Sequence, residues 1–459
     1  MRTTYIVLVV AIMLMCGCGS NRFSSPDVEL PESYIFTGNM DTLSEMVNIS
    51  WWEEFQDPTL NHLILTALVN NKDILVALSS LEQSRLNIGV ARASFLPVLD
   101  LVPSAGAVYT ESDKIIQKYG FGPSLSWEIS LFGEMKNSTR AARAAYLSTE
   151  QAAKAVMLSV AAQTATTYFT LMGYCASLEI AIRSYQLRKE SSDLIDSLVH
   201  YGMGSELNLE QALSLTEAAA ADIPRYQRAV TQTSLALNVL LGENPTKPYV
   251  NQYGPYSWGE DCSYIIPTIP IGLPSSLLER RPDIMEAYYN MAEAWANVGV
   301  ARAERFPSIA LTVGGGLGSM LLKNLISSKS LVWDASAIIT QPIFSFGAKK
   351  KNFEIYREKF YSSTIDYEQA IITALSEVEQ SLVAVSTYKT QLEKYSNLLD
   401  ANYKTQQMTA SLHKNGLLGY LDVIDAEQKW YESQLQYVNI LSEQYINYVN
   451  LYKSLGGGW

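Results

Sequence analysis

The sequence has very little histidine and an excess of acidic over basic residues. Only three histidines occur in 459 residues, and they stand far apart in the chain (His62, His200 and His413). Histidine-based catalysis and histidine-rich metal sites are therefore not expected, and neither is any cofactor. The 34 Lys and Arg against 46 Asp and Glu give a net charge of −12. Nucleic-acid-binding domains carry a basic surface, so nucleic acid is not expected as a partner.

Long apolar runs and cysteine are also scarce. Nowhere does the chain reach the roughly 18 consecutive apolar residues that a membrane-spanning helix needs. Because only helices and closed barrels satisfy their backbone in a bilayer, any membrane crossing is expected to use β-strands. Of four cysteines, Cys16 and Cys18 lie at the N-terminus, and we expect the other two, Cys175 and Cys262, to be free.

The N-terminus has the organisation of a secretion signal. Arg2 precedes an apolar run from Tyr5 to Met15, which is too short to span a bilayer but has the length of a signal-peptide core. Gly17 directly before Cys18 resembles a bacterial lipoprotein box. This pattern predicts a signal peptide at 1–17 and a covalent lipid, such as palmitate, on Cys18. An ordinary cleaved signal peptide with incidental cysteines is the alternative. One acyl chain anchors only reversibly, so a second membrane element is expected.

Two copies of one unit make up almost the whole chain. The stretch IGVARASFLPVLDL from Ile88 returns as VGVARAERFPSIAL from Val298, an offset of 298 − 88 = 210 residues. GMGSELNLEQA from Gly202 returns as GLLGYLDVIDA from Gly416, an offset of 416 − 202 = 214. The change of four residues falls between the two strands of each predicted hairpin, where loops absorb differences in length. The sequence therefore predicts a duplication, not a short-period array.

Each unit contains two segments with the alternating pattern of strands. Odd positions are apolar from Leu99 to Tyr109 and from Phe121 to Leu131, and the second unit repeats this near 309–314 and 331–336. About ten residues of such alternation is typical of transmembrane barrel strands, although a soluble half-buried sheet has the same period. Four strands cannot close a membrane barrel, for which about eight are needed, so several chains would have to share one.

The helical segments are unusually long. Neither proline nor glycine occurs between Lys349 and His413, which predicts one helix of roughly 100 Å. A coiled-coil seam, spaced alternately by four and three residues, follows it: Ile371, Leu375, Val378, Leu382, Val385, Tyr388, Leu392, Tyr395 and Leu399. A second apolar stripe from Phe353 to Ala374 lies on another face. Two stripes favour a helix between two neighbours in a ring, and a simple bundle with one seam is the alternative.

These patterns divide the chain into consecutive segments. After the signal peptide we predict a lipidated linker, the first unit, a Pro- and Gly-rich linker, the second unit and a tail, at 18–57, 58–242, 243–274, 275–453 and 454–459. The first unit is predicted to contain two strands and two long helices, at about 95–110, 118–132, 136–201 and 205–241. The second is predicted to contain their equivalents at about 306–318, 331–344, 349–414 and 419–453.

Four motifs in a fixed order resemble one protein family. They are WWEEFQDPTL at 51–60, LLERRPDI at 277–284, VGVARAERFPSI at 298–309, and LYKSLGGGW at 451–459. The chain resembles the outer-membrane efflux protein family of TolC- and OprM-like outer-membrane factors, in particular its lipoprotein branch, over nearly its whole length.

The resemblance implies a mixed α/β membrane protein, mainly α, that forms a homotrimer. Four strands per chain would form a shared 12-stranded outer-membrane β-barrel, continued by a long periplasmic α-helical coiled-coil barrel. The lipid-anchored trimer would be the exit duct of a tripartite efflux pump for small molecules. A periplasmic adaptor protein and an inner-membrane pump, of the resistance-nodulation-division type, would be its partners.

The resemblance also implies functional positions. YLDVIDAEQ at 420–428 corresponds to the family's periplasmic gate, where Leu421 and Asp425 fall on the hydrophobic and acidic constrictions. Three Asp425 carboxylates on one axis would repel one another and favour cations. The alternative is a carboxylate that only stabilises the first turns of a helix. Gln428 stands where the family often has a basic residue, which argues against a salt-bridge lock there. The adaptor-contacting tips are expected at Gly202, Met203, Gly204, Gly416, Leu417 and Leu418.

Other functions fit the sequence less well. A periplasmic coiled-coil scaffold lipoprotein would not need four alternating strands. A surface-anchored hydrolase would need a nucleophile with a base or a carboxylate pair, and no such constellation is recognisable. Protein or peptide secretion remains an alternative to small-molecule efflux, because the same duct would serve both.

Replacement of Cys18 by alanine is expected to abolish incorporation of a labelled fatty acid, because this thiol is the predicted acceptor. Cys16→Ala is the matched control and should keep the label, since Cys16 would leave with the signal peptide. Labelling of Cys18→Ala at the level of the unmodified protein would contradict the lipoprotein prediction.

Overall fold

The computed structural model describes residues 23–24, 26, 30–31, 34–35, 50–110, 114–245 and 274–457. The predicted lipid site at Cys18, as well as Cys262 and nearly all of the linker at 243–274, lie outside the described residues. Cys175 is free, as expected.

The described chain is mainly helical and contains four strands. In the first half these are helices α1 (Pro58–Asn70) and α2 (Lys72–Ala93), strands β1 (Val98–Thr110) and β2 (Lys114–Ile129), and helices α3 (Glu134–His200) and α4 (Glu206–Leu240). In the second half they are α5 (Leu277–Arg280), α6 (Pro282–Ala303), β3 (Ser308–Ser319), β4 (Leu331–Thr340), α7 (Ala348–Lys414) and α8 (Tyr420–Ser454).

The duplication is repeated in the lengths of the helices. α2 and α6 both have 22 residues, α3 and α7 both have 67, and α4 and α8 both have 35. The strands differ more from their predicted bounds than the helices do. β4 ends at Thr340, not near 344, because Pro342 has no N–H for a ladder and restricts the residue before it. β2 begins at Lys114, earlier than the apolar alternation indicated, because backbone pairing with β1 continues to Thr110.

The compact units of the chain do not coincide with the two repeats. The first, here called the sheet unit, takes in the described residues of Ser79–Gln151 and Met285–Ala370. The second, here called the helical unit, takes in the described residues of Glu29–Leu78, Ala152–Ile284 and Ile371–Trp459. Each unit contains a part of both repeats, because α2, α3, α6 and α7 each continue from one unit into the other.

The four strands form one antiparallel sheet in the order β1-β2-β3-β4. Its register aligns odd-numbered residues with odd-numbered ones, so that Leu125 of β2 lies opposite Leu99 of β1 and Val313 of β3. Because side chains alternate along a strand, the apolar odd positions of all four strands share one face. The other face is mixed. Ser124 lies opposite Asp100 and Gly314 opposite Asp334, and apolar residues such as Val102, Val108 and Ile338 lie on the same face.

The core of the helical unit explains the first of the four sequence motifs. Trp51 stacks on Tyr452 with ring centroids 5.6 Å apart, and Phe55 packs 5.3 Å from Phe169. Asp57 caps α1 by accepting a hydrogen bond from the Thr59 amide at 2.8 Å. Its other oxygen accepts the Tyr168 hydroxyl at 2.6 Å. The motif therefore fixes the start of α1 against the long helix α3.

The second motif contributes a buried arginine. The Arg281 guanidinium donates to both oxygens of Asp283, at 3.0 and 2.6 Å. It also donates to Glu377 of α7 at 2.6 Å and to the Ser454 carbonyl of α8 at 2.9 Å. Burial lowers the pKa of Arg281, but its two carboxylate partners more than offset this and the pKa is raised on balance. The planar guanidinium of Arg281 thus links the start of α6 to both α7 and α8.

Within the described residues, no single helix combines the length and the apolar composition of a membrane span. The bent pair α1 and α2, with an angle of 43° between the two helices, meets those criteria only when it is taken together.

Candidate gate and helical tips

The two long helices of each repeat form a hairpin, α3 with α4 in the first and α7 with α8 in the second, and both hairpins turn through the same backbone motif. After α3, the amide of Gly202 donates to the Val199 carbonyl at 2.9 Å and that of Met203 to the Leu198 carbonyl at 2.8 Å. This pair of bonds is a Schellman motif, which requires a left-handed residue, and Gly202 has a φ of +74°. After α7, the same two bonds form at Gly416, with a φ of +73°, and at Leu417.

The tips expose apolar side chains at equivalent positions of the two repeats. Met203 and Leu417 are separated by 214 residues, as are Leu207 and Leu421, and all four are exposed. The structure therefore presents two similar apolar tips per chain, one from each repeat.

Leu421 and Asp425 lie one turn apart on α8, so they share one face of that helix. Both are exposed in the single chain, Leu421 by 61% and the Asp425 side chain by 63%. The Lys429 ammonium lies 2.6 Å from the Asp425 carboxylate. Such an exposed pair adds at most about 1 kcal/mol to stability, but it places a cation directly beside the predicted acidic constriction.

A buried arginine connects this part of α8 to the first hairpin. Arg188 of α3 donates to the Gln428 side-chain oxygen at 2.8 Å and to the Leu215 carbonyl of α4 at 3.1 Å. Its guanidinium carbon lies 5.2 Å from the ring centroid of Tyr431, and the Tyr431 hydroxyl donates to Asp222 of α4 at 2.8 Å. We call Arg188, Asp222, Glu427, Gln428 and Tyr431 the Arg188 cluster.

Burial dominates the electrostatics of the Arg188 cluster. It lowers the pKa of Arg188, and nearby Glu427 opposes that change. It raises the pKa of Glu427, which Arg188 in turn opposes. It also raises the pKa of Tyr431, to which the hydrogen bond with Asp222 adds. Arg188 is therefore a counterion that offsets part of the effect of burial on Glu427.

The cluster breaks the symmetry between the repeats. The residue equivalent to Arg188 is Asn402 of α7, which donates to the Lys429 carbonyl at 3.2 Å. Lys429 is the equivalent of Leu215, so each hairpin has the same side-chain-to-backbone bond between its two helices. Only Arg188 also reaches the other hairpin, through Gln428 and Tyr431. The sequence argued against a salt bridge at Gln428, and the structure gives this amide a different role, as acceptor from Arg188 and donor to Glu432 at 2.6 Å.

Comparison with known proteins decides the family. The family model described as outer membrane efflux protein matches residues 63–243 and 273–457. The chain belongs to the outer membrane efflux protein family. That family consists of outer-membrane channels, not enzymes, and the resemblance found in the sequence is confirmed.

Similar members of the family extend over nearly the whole chain. SilC of Salmonella typhimurium, a probable outer membrane lipoprotein, is 31% identical over 98% of both chains. SrpC of Pseudomonas putida, a solvent efflux pump outer membrane protein, is 34% identical over 98% of this chain and 97% of its own. The crystal structure of the CmeC outer membrane channel of Campylobacter jejuni has a TM-score of 0.88 at 25% identity, covering 96% of this chain and 95% of CmeC.

Sequence reasoning missed most of the interactions around the predicted gate of this efflux protein. Asp425 and Lys429 carry a readable signal, because opposite charges four residues apart on a helix face each other. The contact between Arg188 and Gln428 carries none, since 240 residues separate them in the sequence.

Replacement of Arg188 by methionine is expected to destabilise the helical unit by about 3 kcal/mol, the scale for a buried charge that loses its counterion. The loss should grow with pH. Burial raises the pKa of Glu427, so the protonated carboxyl is the form that folding favours. The stability that this protonated form provides is therefore present at low pH and is lost as the pH rises through the folded-state pKa. Without Arg188 that pKa rises further.

The measurement is the thermal midpoint of the helical circular-dichroism signal at pH 5.5 and pH 8. Asn402→Leu removes the equivalent bond of the second repeat and serves as the control, with a loss of about 1 kcal/mol at both pH values. A loss in Arg188→Met that equals the control, or that does not change with pH, would contradict the role given to Arg188.

Proposed function

We propose that three copies of this chain form the outer-membrane exit duct of a tripartite efflux pump, which passively conducts small molecules out of the cell. The observation that carries the proposal is the four-stranded sheet, which has one apolar face, one mixed face on which its serines and aspartates lie, and two outer edges. Among the described residues, no strand pairs with the outer edge of β1 or of β4. Unpaired backbone groups cannot face lipid, so the edges require strands from other copies.

Three sheets of four strands would close a 12-stranded barrel. The apolar odd face, with Leu99, Trp333 and Ile339 exposed in the single chain, suits contact with lipid. The opposite face, with Ser124, Ser126 and Thr312, suits a water-filled channel. The long helices α3, α4, α7 and α8 would continue the duct through the periplasm as a coiled-coil barrel.

The two apolar tips fit a docking role. Three chains with two tips each give six similar surfaces around one axis, to which a ring of periplasmic adaptor proteins can bind quasi-equivalently. In this arrangement Met203 and Leu417 contact the adaptor, next to Gly202, Gly204, Gly416 and Leu418. The adaptor would connect the duct to an inner-membrane pump of the resistance-nodulation-division type.

Leu421 and Asp425 would form the periplasmic gate where three α8 helices approach the axis. Lys429 beside each Asp425 would reduce the mutual repulsion of the three carboxylates, which favours a closed state. The Arg188 cluster would hold α8 against the first hairpin, so an outward movement of the second hairpin has to break it.

The lipid on Cys18 would add an anchor in the outer membrane beside the barrel. SilC, described as a probable outer membrane lipoprotein, supports this part of the proposal. Small molecules are the inferred cargo, because SrpC belongs to a solvent efflux pump.

The trimer can be tested directly by native mass spectrometry of the detergent-solubilised protein. The expected mass is three times that of the lipidated chain, because one chain supplies only a third of the barrel wall. A stable monomer that retains its strands would contradict the shared barrel.

Replacement of Asp425 by alanine is expected to raise single-channel conductance in planar bilayers and to weaken cation selectivity, since the change removes both bulk and charge from the constriction. Gln211→Ala is the matched control, because Gln211 occupies the equivalent position of the first repeat. It should leave the cation selectivity unchanged. Identical records for Asp425→Ala and the unmodified trimer would exclude Asp425 from the gate.

A further inference from the structure

The second hairpin of the sheet opens into a loop where the first hairpin continues as sheet. In the first hairpin, backbone pairing extends to Thr110 and Lys114. In the second, β3 and β4 stop pairing with each other at Leu317 and Leu331, whose equivalents in the first repeat are followed by three more pairs. The second repeat thus replaces three rungs of the ladder by residues 320–330, here called the β3–β4 loop.

The β3–β4 loop has a defined fold of its own. It contains two 3-10 turns, Leu322–Asn324 and Ser328–Ser330. The hydroxyl of Ser330, a buried residue, donates to the Asn324 carbonyl at 2.5 Å and so connects the two turns. Because internal hydrogen bonds fix the path of the loop, its side chains can form one wall of a binding surface.

The side chains of the β3–β4 loop are strongly apolar. Connecting loops usually carry polar turn residues, and a contiguous exposed apolar patch marks a site of interaction. All of the large apolar residues of this loop except Leu325 are exposed in the described chain. They are Met320, Leu321, Leu322, Leu325 and Ile326. The loop is therefore expected to contact an apolar partner.

The loop and the sheet together line an apolar groove of about 480 Å³. Of the seven strand residues that line it, five belong to the odd, apolar face, so the groove lies on that face. Pro103, Phe121 and Leu317 line it from the sheet, where they lie side by side in one row. Phe121 is still 46% exposed. The loop contributes Leu322, Leu325 and Ile326. We call this feature the loop groove.

Lysine is the only charged residue type in the β3–β4 loop. Lys323 and Lys329 are both exposed, and each belongs to one of the two 3-10 turns. No acidic residue occurs between Ser319 and Trp333. This local excess of positive charge contrasts with the net charge of −12 for the whole chain. The loop groove is therefore an apolar surface beside two cations.

We propose that the loop groove binds an acyl chain of lipid A, whose phosphates contact Lys323 and Lys329. This inference rests on the proposed function, in which the strands span the outer membrane and the β3–β4 loop, at the end of the sheet remote from the helices, reaches the outer leaflet. Lipid A is the phosphorylated acyl glycolipid of that leaflet. Basic side chains at a membrane surface bind anionic lipid headgroups, and an acyl chain removes the apolar walls of the groove from water.

The combination of the groove with the lysines selects this occupant. A neutral apolar molecule, or an apolar segment of another protein, would fill the groove but make no use of the two cations. Free phosphate would bind the cations but leave Phe121 and Leu325 uncovered. Lys323 and Lys329 lie on separate turns, which suits a lipid with two phosphates better than a phospholipid with one.

The phosphate contact is tested by native mass spectrometry of the full-length, detergent-solubilised trimer titrated with bisphosphorylated lipid A. Up to three lipid molecules per trimer are expected, one for each groove. Lys323→Ala with Lys329→Ala should weaken binding about thirtyfold, because each basic side chain contributes roughly a factor of five. Lys389→Ala with Lys404→Ala removes the same charge from exposed positions of α7 and is the control, with unchanged binding.

The apolar contact is tested in the same titration by filling the groove. Ala105 of β1 lines the groove, so Ala105→Trp should prevent binding at lipid A concentrations that saturate the unmodified trimer. Ala107→Trp is the matched control, because Ala107 lies on the same face of β1 but does not line the groove. It should bind lipid A normally. The lysine variant keeps the proposal testable if Ala105→Trp does not assemble.

The possible results separate the lipid site from the exit duct. Equal affinity of the double lysine variant and its control would overturn the phosphate contact, and unchanged binding by an assembled Ala105→Trp trimer would overturn the groove. Tighter binding of phosphatidylglycerol than of lipid A would overturn the occupant. In each of these cases the trimer, seen in the same spectrum, leaves the proposed function intact. A monomer would refute the proposed function itself.

Discussion

The backbone hydrogen-bonding groups at the edges of the four-stranded sheet impose the main constraint on this molecule. A sheet that is apolar on one face can lie against lipid, but its unpaired edge groups cannot, because the hydrocarbon region offers them no partner. Four strands are too few to close on themselves. The apolar face and the outer edges of β1 and β4 therefore support the same proposal, in which further copies of the chain complete the wall.

The internal duplication shows how further copies can be joined by a type of contact that the chain already contains. One chain already contains a complete seam between two repeats, with β2 against β3 and Phe132 on Phe306. A ring that repeats this seam between copies needs no new type of contact. The helical hairpins follow the same duplication at their tips, but the Arg188 cluster is present only once per chain. The two repeats are thus alike at the helical tips, where an adaptor would bind, and differ at the Arg188 cluster, beside the proposed gate.

Much of the fold could be predicted from the sequence because its determinants are local. The absence of proline and glycine predicted α7, and Gly202 and Gly416 marked the ends of α3 and α7 through a positive φ. Strand alternation predicted the two faces of the sheet. The compact units could not be predicted, because packing between distant segments decides where α2, α3, α6 and α7 change from one unit to the other. The Arg188 cluster could not be predicted either, since Gln428 is 240 residues away from Arg188 in the sequence and nothing local connects the two.

The central claim is that identical copies complete the sheet into a closed wall around an axis. Electron cryomicroscopy of the protein in lipid nanodiscs tests it most directly. The account predicts a three-fold axis, 12 strands around an open lumen and lipid density against Leu99 and Ile339. A map in which the four strands pack on a core of their own chain, with no lumen on a symmetry axis, would contradict it.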